Sequence, residues 1–480
     1  MTLFNRKSLP LSVVSCTVLI VVLTGGCATI DINESLSRAN TQLAPFTHGS
    51  LSLAQRDAER RAAQSVADDL LSKPLGQDDA VRLALINSPS MQALLAQHWG
   101  DAAAAAQSGR IANPILTLER LRSPAEIELA RMLAFGLLDL LTWPQRQRIA
   151  QGRVEQTQWQ LAASVVENVT QVRQAWVSAV ASAQSLQYAK QVNDSAEASA
   201  ELARRMLAVG NFSKLQRARQ QAFYAEAVVL WANASQTATA QREVLVRLLG
   251  LTDAQAARLQ LPMRLPELPD APRAPAEVAA AASNTRLDVK MAEASLNALA
   301  AAQGVNLVGS FTDIELSVIR NTSTERADGH KTQFRGAEVA LKLPIFDWGD
   351  LRRDSTRAQT LAAANRLEAT VRAAGSNLRE TYSAYRTNYD TAKHYRDEIV
   401  PLKKLIADEN VLRYNGMLIG VFELLANSRD QIASVSAAIN AQQQFWLSDA
   451  ALQATIVGKP MLMSTMAAKP AMSGGGDAPH

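Results

Sequence analysis

Asp313-Ile314-Glu315-Leu316-Ser317-Val318 and Glu338-Val339-Ala340-Leu341-Lys342-Leu343 are the stretches on which the fold turns. Ile314, Leu316 and Val318 point one way, and Asp313, Glu315 and Ser317 the other. Val339, Leu341 and Leu343 likewise oppose Glu338, Ala340 and Lys342. Period two with one apolar face marks a strand. Apolar-out and polar-in over about ten residues suits a transmembrane barrel; strands packed in a soluble domain are the alternative. Asn321 to Gln333 between them is polar and is expected to be a water-facing loop. Phe334, Phe346 and Trp348 stand where interfacial aromatics are favoured. Some 200 residues earlier a weaker pair occurs, Ile115 to Leu121 and about Leu129 to Leu141, joined at Arg122-Ser123-Pro124. The second of these is almost wholly apolar, and a short helix there is an alternative to the strand.

The distance between the two pairs is no accident, because the chain repeats itself. Val172-Arg173-Gln174-Ala175-Trp176 matches Leu378-Arg379-Glu380-Thr381-Tyr382 at an offset of 206 (382 − 176), shared by Arg146 with Arg352 and by Gly210 with Gly416. Within the repeat, Val165, Val169, Val172, Trp176, Ala179, Ala183 and Leu186 alternate spacings of 4 and 3, as do Val371, Gly375, Leu378, Tyr382, Tyr385, Tyr389 and Ala392. That is a heptad seam. A helix over 145–209 would run roughly 95 Å at 1.5 Å per residue. Its copy over 350–415 carries Pro401, which should kink it. Both end at glycine turns, Gly210-Asn211-Phe212-Ser213 and Gly416-Met417-Leu418-Ile419-Gly420. Glycine suits the left-handed position past a helix end, and Ser213 can cap the returning helix. Arg219-Gln220-Gln221 matches Arg429-Asp430-Gln431 at 210, so the second turn is expected to be about four residues longer. Helices are also expected upstream, over about 77–109, where Asn87-Ser88-Pro89 marks a start or break, and over 276–303.

The N-terminus reads as a secretory signal. Arg6 and Lys7 precede an apolar run from Leu9 to Leu23, then Thr24-Gly25-Gly26-Cys27. Cys27 has the place of the lipidated cysteine of bacterial lipoproteins, although Thr24 stands where a large aliphatic is usual. Cys16 lies inside the signal, so the mature chain is expected to have no disulfide. No later run approaches the roughly 18 apolar residues of a spanning helix, so any crossing must be by strands in a closed barrel.

Composition narrows the function. A net charge of +4 over 480 residues gives no argument for nucleic acid. With 48 % hydrophobic residues but only 5 % aromatic, the chain suits close-packed, alanine-rich helices. The histidines, His48, His98, His330, His394 and His480, have no metal-ligand spacing, and no phosphate-cradling loop occurs. No enzyme and no cofactor are expected. Met461, Met463, Met466 and Met472 in the tail are a weak soft-metal clue, since thioethers suit Cu(I).

Four strands cannot close a barrel, and an open edge cannot sit in lipid, so the chain must oligomerise. Three copies would supply twelve strands, though spacing alone leaves two open. The order helix, strand pair, long helix, glycine turn, short helix, twice over, resembles the TolC-like outer-membrane efflux protein family. The resemblance is carried by Leu343-Pro344-Ile345-Phe346-Asp347-Trp348-Gly349-Asp350, Asn87-Ser88-Pro89, Asn113-Pro114, and Arg413-Tyr414-Asn415-Gly416-Met417 with Leu424-Leu425. The first junction, Leu141-Thr142-Trp143-Pro144-Gln145-Arg146, departs from it.

The resemblance implies a mainly α fold with a small β part: two tandem repeats of long coiled-coil helices, plus four strands contributed to a trimeric twelve-stranded transmembrane barrel. The expected organisation is a signal peptide (1–26), a lipid-anchored extension (27–75), a first repeat (76–251), a proline-rich linker (252–275), a second repeat (276–458) and a flexible tail (459–480). Strand pairs are expected at 113–141 and 306–344, long helices at 145–209 and 350–415, and return helices at 213–249 and 420–457. It further implies a homotrimer in the outer membrane of a Gram-negative bacterium, in contact with outer-membrane lipid, a periplasmic adaptor (membrane fusion) protein and an inner-membrane pump. The turns at Gly210–Ser213 and Gly416–Gly420 would meet the adaptor, and Arg205, Asp408, Arg413 and Tyr414 would close the tip. Function would be passive export of small molecules or metal ions. A protein-secretion channel of the same design and a periplasmic coiled-coil scaffold without a pore stay open.

Overall fold

The computed structural model describes residues 31–284, 286–309, 314–343 and 345–460. The expected signal peptide, Cys27, Met461, Met463, Met466 and Met472 lie outside the described residues. The elements are α1 (Ile32–Thr47), α2 (Asp57–Leu70), α3 (Gln77–Asn87), α4 (Pro89–Gln107), β1 (Ile115–Arg122), β2 (Glu126–Gly136), α5 (Leu137–Ala208), α6 (Lys214–Leu249) and α7 (Asp253–Arg258). They continue with α8 (Pro275–Asn284), α9 (Leu287–Gly309), β3 (Ile314–Glu325), β4 (Lys331–Leu341), α10 (Asp350–His394), a π-helical turn (Tyr395–Ile399), α11 (Val400–Asn415) and α12 (Val421–Val457). The fold is mainly helical with one small antiparallel sheet, as expected. No described helix is long and apolar enough to cross a membrane.

The 72 residues of α5 make a rod of about 108 Å. Its heptad seam packs where expected: Val165, Val169, Val172, Trp176 and Ala179 are buried against α1, α3 and α6 in the largest core. Arg173 lies in the same core. Its guanidinium donates to the Phe46 carbonyl at 2.6 Å and to Gln453 Oε1 at 2.8 Å, tying α1 and α12 to the rod. The seam of the second copy differs. Tyr385, Tyr389 and Ala392 are buried with Phe445, but Val371 is 52 % exposed.

The pseudo-symmetry reaches individual bonds. Trp176 Nε1–H donates to the Leu75 carbonyl at 2.8 Å, and its counterpart Tyr382 donates its hydroxyl to the Arg273 carbonyl at 3.0 Å. Gly250 and Gly458 end the two return helices in left-handed conformation (φ +64° and +93°), and each seats its α-carbon against the start of α4 or α9. Asn87 Nδ2–H donates to the Leu249 and Gly250 carbonyls, each at 3.1 Å, so Asn87-Ser88-Pro89 is the socket for the return helix.

Several boundaries differ from the sequence reading. The run 129–141 divides: residues up to Gly136 are strand, and the long helix starts at Leu137 rather than near Gln145. In the second repeat the matching positions hold a turn, since Asp347 Oδ1 accepts from Gly349 N at 2.8 Å and Gly349 is left-handed (φ +67°). The first repeat has no such Asp-x-Gly, and its largely apolar Leu137 to Leu141, with Asp139 in the first turn, joins the helix instead. The polar stretch from Asn321 to Gln333 is not one loop: β3 and β4 run through it and leave only 326–330 as the turn. The two tips have equal length, 209–213 and 416–420, so the match of Arg219 to Arg429 was a slip of register.

Candidate functional site

The sheet holds β1-β2-β3-β4 in order, each pair antiparallel, so the two repeats meet at β2 and β3. Both outer edges, β1 and β4, are free within the protomer. The register puts Leu116, Leu133, Val318 and Ala337 in one row, Phe135, Leu316 and Val339 in the next, and Ile314 beside Leu341 in a third. These three rows are wholly apolar and lie on one face at the end where the helices depart. Leu343, Ile345, Phe346, Trp348 and Leu141 extend exposed apolar surface below them. Phe334 does not join this band; it pairs with Asn321 on the opposite face.

The same registers sort every charge on the strands. Arg120, Arg122, Arg131, Arg320, Lys331 and Arg335 share the face of the apolar rows. Glu119, Glu126, Glu128, Glu315, Glu325 and Glu338 all share the other face. On that second face Ala134 and its partner Ser317 are only 3 % and 5 % exposed. Asn321 Nδ2–H donates to Glu128 Oε1 at 3.1 Å and Ser323 Oγ–H to Glu126 Oε2 at 2.5 Å, which hold these carboxylates across β2 and β3.

The opposite end of the molecule is formed by the two tips. At the first, Gly210 is left-handed (φ +78°), Asn211 N donates to the Met206 carbonyl at 2.9 Å, and Ser213 and Gln216 form a reciprocal capping box. At the second, the equivalent left-handed residue is Met417 (φ +55°), with Leu418 N donating to the Arg413 carbonyl at 2.9 Å. Gly416 is not the left-handed residue there, against the expectation from sequence. Gly210 pairs with Met417 at an offset of 207 (417 − 210), one more than along the upstream helices. The π-helical turn at Tyr395–Ile399 supplies the extra residue, since a π turn is a one-residue insertion in an α-helix. Pro401 explains its place: the widened turn relieves the clash of the proline ring with the carbonyl four residues back.

Of the residues expected to close the tip, Arg205 is held on its own helix. Its Nε–H donates to Glu201 Oε1 at 2.8 Å, and Arg204 binds the same carboxylate. These hydrogen bonds hold the Glu201 carboxyl down to about 2. Glu201 was missed in the sequence, where its spacing of 3 and 4 from the two arginines is the readable signal. Asp408, Arg413 and Tyr414 are exposed, and among the described residues no hydrogen bond or ion pair joins Arg205 to Asp408 or Arg413. The repeats touch just behind the tips, where the Arg429 guanidinium sits 4.3 Å from the centre of the Phe223 ring; within the second repeat, Lys403 pairs with Asp430 at 3.1 Å. Val209, Leu215, Leu412, Met417 and Leu418 are more than half exposed. The described residues contain no group of three or more potential metal ligands.

Residues 278–404 match the family model described as outer membrane efflux protein. The chain shares its fold with a membrane protein from Pseudomonas aeruginosa (21 % identity, TM-score 0.65, 85 % of this chain and 96 % of that one). It also shares it with the Campylobacter jejuni CmeC outer membrane channel (15 %, 0.63, 83 % and 86 %) and with the outer membrane protein VceC of Vibrio cholerae (16 %, 0.65, 83 % and 98 %). No curated protein sequence matches it. In sequence over 278–404, and in fold over most of its length, the chain is similar to the TolC-like outer-membrane efflux proteins.

Proposed function

We propose that this chain is the outer-membrane channel of a tripartite efflux system, a passive conduit for small molecules or metal ions and not an enzyme. The observation that carries the proposal is the sheet: two free edges, an apolar face at the helix end and an opposite face that gathers the glutamates. Free edges are intolerable in lipid. Joining β4 of one copy to β1 of the next removes them, and three copies give a twelve-stranded wall with glutamates around a water-filled lumen. Exposed Val371, Leu361 and Leu351 on α10 and Val229 and Trp231 on α6 supply apolar surface for packing between protomers in the helical barrel below. Anchoring through Cys27 belongs to the same proposal.

The tips at Gly210–Ser213 and Gly416–Gly420 are the proposed adaptor contacts, supported by their exposed apolar side chains and by the strained backbone at Met417. Opening is a shift of population between closed and open tips, biased by the adaptor. Asp408, Arg413 and Tyr414 are the proposed closing contacts between copies; Arg205 supports the tip through Glu201. The mass of the detergent-solubilised full chain, measured beside its incorporation into vesicles, tests the assembly. A trimer that inserts is expected; a monomer or dimer that never inserts refutes it.

A further inference from the structure

The proposed pore accounts for the glutamate face but not for its opposite. Arg131, Arg320 and Arg335 occupy one row of the sheet, each beside the next across a strand pair. Neighbouring strands lie about 4.8 Å apart, and like charges directly opposite one another destabilise a sheet. No carboxylate shares their face, and among the described residues none of the three makes an ion pair; Arg320 reaches only the neutral Gln333, at 3.3 Å. A guanidinium cannot shed its charge. The row therefore calls for anions from outside the chain. It lies immediately above the three apolar rows, towards the hairpin turns, with Arg120, Arg122 and Lys331 higher still. A face that is apolar below, and whose charges above, set among Leu118, Leu129 and Ile127, are all cationic, has the polarity of a lipid leaflet.

We infer that Arg131, Arg320 and Arg335 form a belt that binds the phosphate groups of lipids in the leaflet on the hairpin side. Guanidinium and phosphate match as paired donors and acceptors, and long arginine side chains reach from the edge of the apolar zone to the headgroups. This rests on the barrel reading, because the face must meet lipid. Three copies repeat the row around the wall, so the belt also anchors the barrel at a fixed depth.

The test uses the full chain in dodecylmaltoside micelles, with diphosphorylated lipid A as probe, its dephosphorylated form as control, and native mass spectrometry to count bound lipid. Arg131→Gln, Arg320→Gln and Arg335→Gln together should weaken binding of the diphosphorylated form on the order of a hundredfold, and Arg320→Gln alone about fivefold. The dephosphorylated form should bind weakly to both proteins, and inorganic phosphate at equal concentration should not compete. Retention by the triple variant within about threefold of wild type, equal binding of the dephosphorylated lipid, or equal competition by inorganic phosphate would overturn the belt. Flotation with neutral phosphatidylcholine vesicles separates the two proposals: wild type that never inserts contradicts the barrel itself, whereas insertion without phosphate dependence contradicts the belt alone.

Discussion

Gly250→Ala asks whether the return helix is seated as described. Gly250 has φ +64°, and a Cβ there would lie 2.3 Å from Pro89 Cδ and 2.7 Å from Ser88 Cα. Neither neighbour can swing aside, since one is a ring atom and the other backbone. The left-handed conformation costs a non-glycine residue about 1–2 kcal/mol, and overpacking adds about 1–3 kcal/mol. Stiffening of the unfolded chain returns about 0.4–1 kcal/mol. The net loss is about 2–4 kcal/mol. Gly210→Ala is the internal control, because Gly210 has φ +78° and nothing within 4 Å of its Cβ position. There only the backbone term acts, and about 1 kcal/mol is expected. Gly458→Ala should follow Gly250→Ala, since its Cβ would meet Leu287 N at 2.6 Å. The assay is the urea midpoint of helical circular dichroism of the full chain in detergent, at unchanged slope. A drop for Gly250→Ala two to four times that for Gly210→Ala is expected. Equal drops would refute the packing of the return helix into the Ser88-Pro89 socket.

Three further outcomes follow from the tip. Met417→Gly removes the left-handed strain of a 92 % exposed side chain; it should stabilise the tip by up to about 1 kcal/mol and, if Met417 meets the adaptor, weaken adaptor binding measured by titration calorimetry. The Glu201 carboxyl is depressed from 4.5 to about 2, so its pairing is fully present above pH 4.5 and lost as pH falls through about 2. The stability difference between wild type and Glu201→Gln should therefore be constant at neutral pH and vanish near pH 2, in the same urea assay. Asp408→Ala with Arg413→Ala should raise the open fraction in planar-bilayer recordings if these groups close the tip between copies, and unchanged gating would remove them from that role.

Much of the fold was legible because it depends on periodicity. Trp176 and Tyr382 marked the repeat, and both donate a hydrogen bond to the segment that opens their own half. Ile314, Leu316 and Val318 gave the strand face. The limits were physical as well. Leu137 to Leu141 is apolar but for Asp139 and suits either conformation, so the absence of an Asp-x-Gly turn and the acidic residue in the first helical turn are what tell helix from strand there. The π turn shifts the register by a single residue, which the chance alignment of Gly210 with Gly416 concealed; Pro401 was its sole trace. Helices α1 and α2 went unread, although Phe46 accepts a bond from buried Arg173. Each strand already separates its basic from its acidic residues by alternation, but that all the basic residues share one face is a property of the four strands in register.

The central claim is that the chain conducts. Single-channel recording of the purified full chain in a planar bilayer, with its mass determined on the same preparation, tests it most directly. Discrete ion-conducting steps from a trimer are predicted, rare while the tips are closed and frequent once Asp408 and Arg413 are replaced. A trimer that inserts yet never conducts, even with both replaced, would contradict the account.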